Sequence, residues 1–109
     1  MEISERHAKL CDGLADCRRI LILYALVQQP LNVSELAATL GMSQPTVSRH
    51  LKILRDCGAV ASERRGKAVY YLPSDMRIIE ALDLMRAALT DQMILQGELA
   101  RSASERPRL

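Results

Sequence analysis

The chain has no tryptophan and no phenylalanine, and its only aromatic side chains are Tyr24, Tyr70 and Tyr71. Its core must therefore be aliphatic, and a small domain with such a core gains much by pairing with a second copy. No run of ~20 apolar residues, the length that spans a bilayer, is present, and the N-terminus carries no apolar segment of the secretory-signal kind. These absences lead us to expect a cytoplasmic protein with no membrane partner, in which Cys11, Cys17 and Cys57 remain thiols. There is no Cys-x-x-Cys pair and no glycine-rich nucleophile turn, so thiol enzyme chemistry lacks its base and oxyanion hole, and we expect no catalytic residue. A large charge of one sign is missing as well. With a net charge of only +2, contact with nucleic acid has to come from local placement of cations rather than from a global field. Nothing repeats internally, and 109 residues suit one domain, taken as 1–103 with a frayed tail over 104–109.

What the chain does contain is concentrated between Ser43 and Cys57. Ser43 is a natural N-cap, Pro45 fits a first helical turn where backbone N–H groups lack intrahelical partners, and Gly58 supplies the stop. Val47, Leu51 and Leu54 fall at i, i+4 and i+7 and predict one buried face. Gln44, Thr46, Ser48, Arg49 and Lys52 lie off that stripe. Just upstream, Asn32 with Glu35 three residues on forms a capping-box pattern that opens a short helix closed by Gly41. Helix, glycine turn and second helix make a helix-turn-helix, in which the second helix enters the major groove and the first braces it.

After Gly58, the segment Ala59–Arg65 and the segment Lys67–Leu72 read as two short strands around a turn at Arg65-Gly66, with Pro73 ending the ladder. Such a hairpin beside a recognition helix is a wing. Arg64, Arg65 and Lys67 gather at its tip, where cations serve either solubility and edge protection or contact with phosphates and the minor groove.

Leu40-Gly41-Met42-Ser43-Gln44-Pro45-Thr46-Val47-Ser48-Arg49-His50-Leu51, the Arg65-Gly66-Lys67 turn and Tyr70-Tyr71 resemble the ArsR/SmtB winged-helix repressors. Upstream, Leu14-Ala15-Asp16-Cys17-Arg18-Arg19 is similar to that family's second-helix opening, with Cys17 where proline is usual. The likeness covers about residues 14 to 75. It implies a mainly α fold with a small β-hairpin, a winged helix-turn-helix in the order α-α-α-α-β-β-α, dimeric through its terminal helices. It further implies a homodimeric repressor of transcription that a ligand releases from double-stranded operator DNA. The resemblance places Gln44, Ser48 and Arg49 at base edges and Ser43, Thr46, Lys52 and the wing cations at phosphates. His50 is open between a place near the DNA backbone and a place against neighbouring structure. Two recognition helices would enter successive major grooves about 34–36 Å apart on an inverted repeat.

The terminal helices supply the dimer in this reading. Ser74 is taken to cap a long helix through about Ala103, where Ile78, Leu82, Met85, Leu89 and Met93 recur at steps of three and four. Ile3, Leu10 and Leu14 give the first helix a similar seam.

Cys17, in a first helical turn beside Arg18 and Arg19, is the candidate reactive thiol. His7 and Cys11, four apart, share a helical face and suit a soft metal. Cys11 and Cys17 converge only if the chain bends near Asp12-Gly13, the family's boundary between the two helices. Cys57 closes the recognition helix at a position some cadmium and lead sensors of the family use, but Ile53 stands where their other cysteine would be. Asn32 and Ser34 replace the family's arsenic-binding pair, and no His lies between Ser74 and Leu109 for its zinc site. Three alternatives stay open: capture of a thiophilic ion such as As(III), Cd or Pb by Cys11, Cys17 and Cys57; oxidation of Cys17 resolved by Cys11; and no thiol sensing at all. A winged-helix protein-interaction module is the rival from another functional class.

Overall fold

The computed structural model describes residues 2–105, with side chains for 2–101. Its elements are α1 (Ile3–Leu14), α2 (Cys17–Ala25), α3 (Val33–Leu40), α4 (Gln44–Asp56), β1 (Val60–Arg65), β2 (Ala68–Pro73) and α5 (Met76–Glu105). This is the α-α-α-α-β-β-α order expected from the sequence. The chain forms one body ending at Ile79 and a second beginning at Glu80. Among the described residues, no helix is long and apolar enough to cross a membrane.

Local capping sets the helix starts in the first body. Asp16 accepts from the Arg18 backbone N–H at 2.8 Å. Asn32 and Glu35 complete a reciprocal capping box, with bonds of 2.9 and 3.0 Å. Ser43 accepts from the Thr46 backbone N–H at 3.3 Å. Each such cap satisfies an end group that the helix cannot, at roughly 1 kcal/mol. Gly41 ends α3 in the left-handed region at φ 66°, a conformation that costs glycine nothing.

The caps aim aliphatic faces inward. Ile22 and Leu23 of α2, Leu26 just past its end, Leu36 of α3, and Val47, Leu51 and Leu54 of α4 are the largest fully buried side chains. Each contributes about 1.5–3 kcal/mol from burial. All three tyrosines stay at the half-buried margin, so the core is as free of aromatic rings as the composition requires.

β1 and β2 pair antiparallel from Val60 opposite Pro73 to Arg65 opposite Ala68. The turn therefore falls at Gly66-Lys67, one residue later than expected, because Gly66 with φ 62° takes the first loop position, where a tight hairpin needs positive φ. Leu31 adds a bridge on the far side of β2: the Tyr71 N–H donates to the Leu31 carbonyl at 2.8 Å, and the Leu31 N–H returns a bond of 3.2 Å. Nothing local in the sequence marks this pairing.

Two expectations about helix boundaries need correction. Ser74 does not cap α5; its hydroxyl donates to the Gly58 carbonyl at 2.5 Å, and Asp75 caps instead, accepting from the Arg77 N–H at 2.9 Å. The Arg77 side chain and N–H hold the Asp75 carboxyl down at about 2. The break between α1 and α2 comes at Ala15-Asp16 rather than at Asp12-Gly13. Gly13 is a packing contact, not a hinge: it is buried, and a Cβ there would lie 2.8 Å from Cys57 Cβ and collide with Cys57 Sγ.

In the second body, every side chain of 80–101 is exposed except Leu82, at 5% exposure. Met85, Leu89 and Met93 are 54%, 58% and 71% exposed, with Leu84, Ile94, Leu95 and Leu99 similarly bare. Leu82 was grouped with the dimer seam, yet within a single chain it has almost no surface left to offer. Of the expected tail, Ser104 and Glu105 lie within α5, and 106–109 lie outside the described residues.

Candidate nucleic-acid interface

The face of α4 opposite its buried stripe carries Gln44, Ser48, Arg49 and Lys52, all exposed, with Ser43 just before it and Thr46 half-buried. Position along the helix explains this division. Val47, Leu51 and Leu54 anchor one side in the core, so residues a third to half a turn away face solvent on a rigid mount. Among the described residues the Arg49 guanidinium has neither ion-pair nor hydrogen-bond partner. It is a fork of donors held out from a helix, the geometry that reads a guanine edge bidentately.

The other polar groups are already engaged to differing degrees. Ser43 Oγ donates to Thr46 Oγ1 at 2.8 Å while accepting the capping bond, so both hydroxyls serve first to hold the helix start. Gln44 Nε2 donates to Ser34 Oγ at 3.3 Å, tying the second helix of the motif to the first. Lys52 pairs with Asp56 at 3.2 Å, both well exposed. Such a surface pair is worth only about 0.3–0.5 kcal/mol and yields readily to a phosphate.

His50 lies elsewhere. A DNA-binding candidate left open between the DNA backbone and neighbouring structure, it lies against structure: it is 3% exposed and its Nδ1 accepts from Arg19 Nη1 at 3.3 Å. Arg19 Nε in turn donates to the Gly13 carbonyl at 2.6 Å, so this chain of bonds joins α4, α2 and α1. The other ring nitrogen, Nε2, is buried without a partner among the described residues. Burial first, and then the cations Arg18, Arg19 and Arg49, push the His50 pKa below its ordinary value against the opposing pull of Asp16. The signal was available in the sequence, since position 50 falls between Val47 and Leu54 on the apolar stripe.

Alternation along β1 divides the wing cations. Arg65 forms an ion pair with Glu63 and lies 5.0 Å from the centroid of the Tyr70 ring, a cation–π contact. Arg64 points to the other face, and neither it nor Lys67 has a side-chain partner among the described residues.

The cysteines do not form one centre. Cys11 and Cys17 are exposed and Cys57 is half-buried at the end of α4. Gly13 touches Cys57, and Cys11 leaves α1 about 200° away at 100° per residue, on the side facing away from Cys57. His7 and Cys11 share a face of α1 and are both exposed. Among the described residues, no group of three or more His, Cys, Asp or Glu side chains is placed to hold a metal ion.

Comparison with known proteins adds relatives to this geometry. Residues 16–62 match the model of a family described as "Bacterial regulatory protein, arsR family". The HTH-type transcriptional regulator CmtR of Mycobacterium bovis is 39% identical over 89 residues, spanning 78% of this chain and 75% of that protein. The regulator NmtR of Mycobacterium tuberculosis is 37% identical over 76 residues, covering 70% of this chain but 63% of its own length, less than two thirds. Among solved structures, the homodimeric winged helix-turn-helix DNA-binding domain of a possible ArsR-family regulator from Mycobacterium bovis superposes with a TM-score of 0.77 at 26% identity, covering 84% of each chain.

Proposed function

The chain belongs to the arsR family of bacterial regulatory proteins, and on that premise we propose that it is a homodimeric, sequence-specific repressor acting on operator DNA in the cytoplasm. Its relatives are regulators of transcription rather than enzymes. The observation that carries the reading is the Arg49 fork, without a partner among the described residues, flanked by Ser48 and Gln44 and mounted on a helix whose opposite side is buried. In the complex, Arg49, Gln44 and Ser48 face base edges, while Ser43, Thr46, Lys52, Arg64 and Lys67 meet phosphates. Arg65 reaches phosphate only by leaving Glu63.

We assign the contact with the second copy to two sets of residues, Met85, Leu89 and Met93 on the bare apolar length of α5, and Ile3, Leu10, Leu14 and Ile78 in the first body. Burying that surface offsets the cost of exposing it in one chain, and the pairing sets two recognition helices against an inverted repeat. A thiol-reactive inducer releases the complex. Exposed Cys11 and Cys17 and the half-buried Cys57 are the groups it has to act on, by capture of a thiophilic ion such as As(III), Cd or Pb or by covalent thiol chemistry.

The test is fluorescence anisotropy with fragments of the protein's own promoter against random duplex. Arg49→Ala is expected to lose about 1–3 kcal/mol of discrimination at one base pair with dimerisation intact. Equal affinity of the parent protein for promoter and random duplex would overturn the repressor reading. Unchanged base preference in the variant would remove Arg49 from its role.

A further inference from the structure

Against α1 and the end of α4 lies an open cleft of about 450 Å3 lined by Arg6, Lys9, Arg55, Asp56, Cys57 and Gly58. Three cations converge there. Among the described residues, none of the three has an acidic partner, and Asp56, the one carboxylate in the wall, is paired with Lys52. The cleft is thus a positive basin with its charges uncommitted, and a nucleophilic sulfur forms part of its wall. The other two cysteines lack this setting. Next to Cys17, Arg18 is engaged by Asp16 at 3.6 Å and Arg19 is committed to Gly13 and His50. Cys11 lies on the far side of α1.

From this juxtaposition we propose that the cleft recruits small disulfides bearing carboxylates and that Cys57 is the residue they modify. The inference rests on the repressor reading and assigns its inducer a chemical class and a point of attack. Focused positive potential raises the local concentration of anionic reagents. The Cys57 thiol gives its proton to solvent, and the thiolate attacks one sulfur of the incoming disulfide. A bond forms between Cys57 and that sulfur, the reagent's own S–S bond breaks, and the second sulfur departs as a thiolate that takes up a proton. Cys57 is oxidised and the departing half is reduced, so no further oxidant is needed.

The surroundings convert this bond into a signal. Cys57 Sγ donates to the Leu54 carbonyl at 3.3 Å, and thiolation removes that donor. Gly13 fills the inner side of the sulfur, so the adduct must extend into the cleft. Its carboxylates then engage Arg6, Lys9 and Arg55 in the cleft wall, so what the end of α4 loses is the Cys57–Leu54 bond. The end of the recognition helix is loosened, and its fit to DNA suffers.

The experiment measures rates of modification of the reduced full-length protein, mapped to each cysteine by mass spectrometry. The probes are anionic dithiobis(nitrobenzoate) and neutral dithiodiethanol. The ratio of Cys57 to Cys17 labelling is expected to be about tenfold higher for the anionic reagent at low salt and to fall toward the neutral value near 1 M salt, where the Debye length is about 3 Å. The paired variant R6Q/K9Q, which leaves the proposed DNA face untouched, is expected to lose that preference while reacting normally with the neutral reagent. Protein modified at Cys57 is expected to bind promoter DNA roughly three- to tenfold more weakly, as the loss of one hydrogen bond at the helix end predicts. Equal ratios for the two reagents, an unreactive Cys57, or an unchanged ratio in R6Q/K9Q would each overturn the proposal. Because the rates are measured without DNA, they stand or fall separately from promoter binding, so failure of the repressor reading is recognised on its own.

Discussion

The body that ends at Ile79 and the length of α5 that follows it solve the problem of an aliphatic sequence in opposite ways. In the first, short helices with side-chain caps turn Ile22, Leu36, Leu51 and Leu54 away from water. In the second, an uninterrupted helix leaves Leu84, Met85, Leu89 and Met93 in solvent. The first body gains its stability within one chain. The second has no such cover within one chain and would find it only in the dimer proposed above, so apolar content alone says little about which surface is core.

Substituting each region separately tests this comparison most severely. Leu54→Ala is expected to cost the first body about 2–5 kcal/mol, read by urea unfolding followed by circular dichroism. M85E/L89E is expected to leave that unfolding curve in place while light scattering shows conversion of dimer to monomer. Equal damage from both changes would erase the distinction between the two regions.

A smaller effect probes how closely the first body is packed. Gly-to-Ala inside a helix ordinarily stabilises by about 0.5–1 kcal/mol. Gly13→Ala is expected to do the reverse, losing about 1–3 kcal/mol to overpacking, because the new methyl meets Cys57. Cys57→Gly should restore most of the loss in a double-mutant cycle, and additive effects would show that the contact is loose.

The mildest probe is pH. His50 has its folded pKa lowered from 6.5, so the unfolded chain binds more protons once the pH drops below that value. The contribution is complete above about 6.5 and is lost as the pH falls toward the folded value, with a slope of at most about 1.4 kcal/mol per pH unit. Denaturation curves for the parent and His50→Gln, taken from pH 7.5 downward, are expected to converge as the medium becomes acidic. The charged neighbours Arg18, Arg19 and Arg49 oppose protonation and Asp16 favours it. A gap that widens toward acid would reverse this sign.

Features legible in the sequence were those whose physics is local. Asn32 with Glu35, Asp16 and Ser43 announced their helices because a cap acts within three residues of itself. The helix-turn-helix and its hairpin followed from them and from Gly41, Gly58 and Gly66, and the full α-α-α-α-β-β-α order from the resemblance over about residues 14 to 75. Long-range contacts were not legible. Ser74 and Asp75 are both good caps, and the choice went to Asp75 because Gly58, sixteen residues back, claimed the serine hydroxyl. Gly13 looked like a hinge because its only requirement is the nearness of Cys57. The candidate interface was legible as a set of residue types on one face. Sequence could not show that Arg65 is tied to Glu63 and Tyr70 whereas Arg49 has no such partner among the described residues, since that difference lies in side-chain partners.

The pairing of Leu31 with Tyr71 has a mechanical consequence. Two hydrogen bonds rivet the rear of the hairpin to the residue just ahead of the capping box, so the cations at its tip are carried on a bracket rather than a flap. A force that lifts one prong of this bracket is passed to the entrance of α3, so the helix-turn-helix and the cationic tip of the hairpin travel as a single tool.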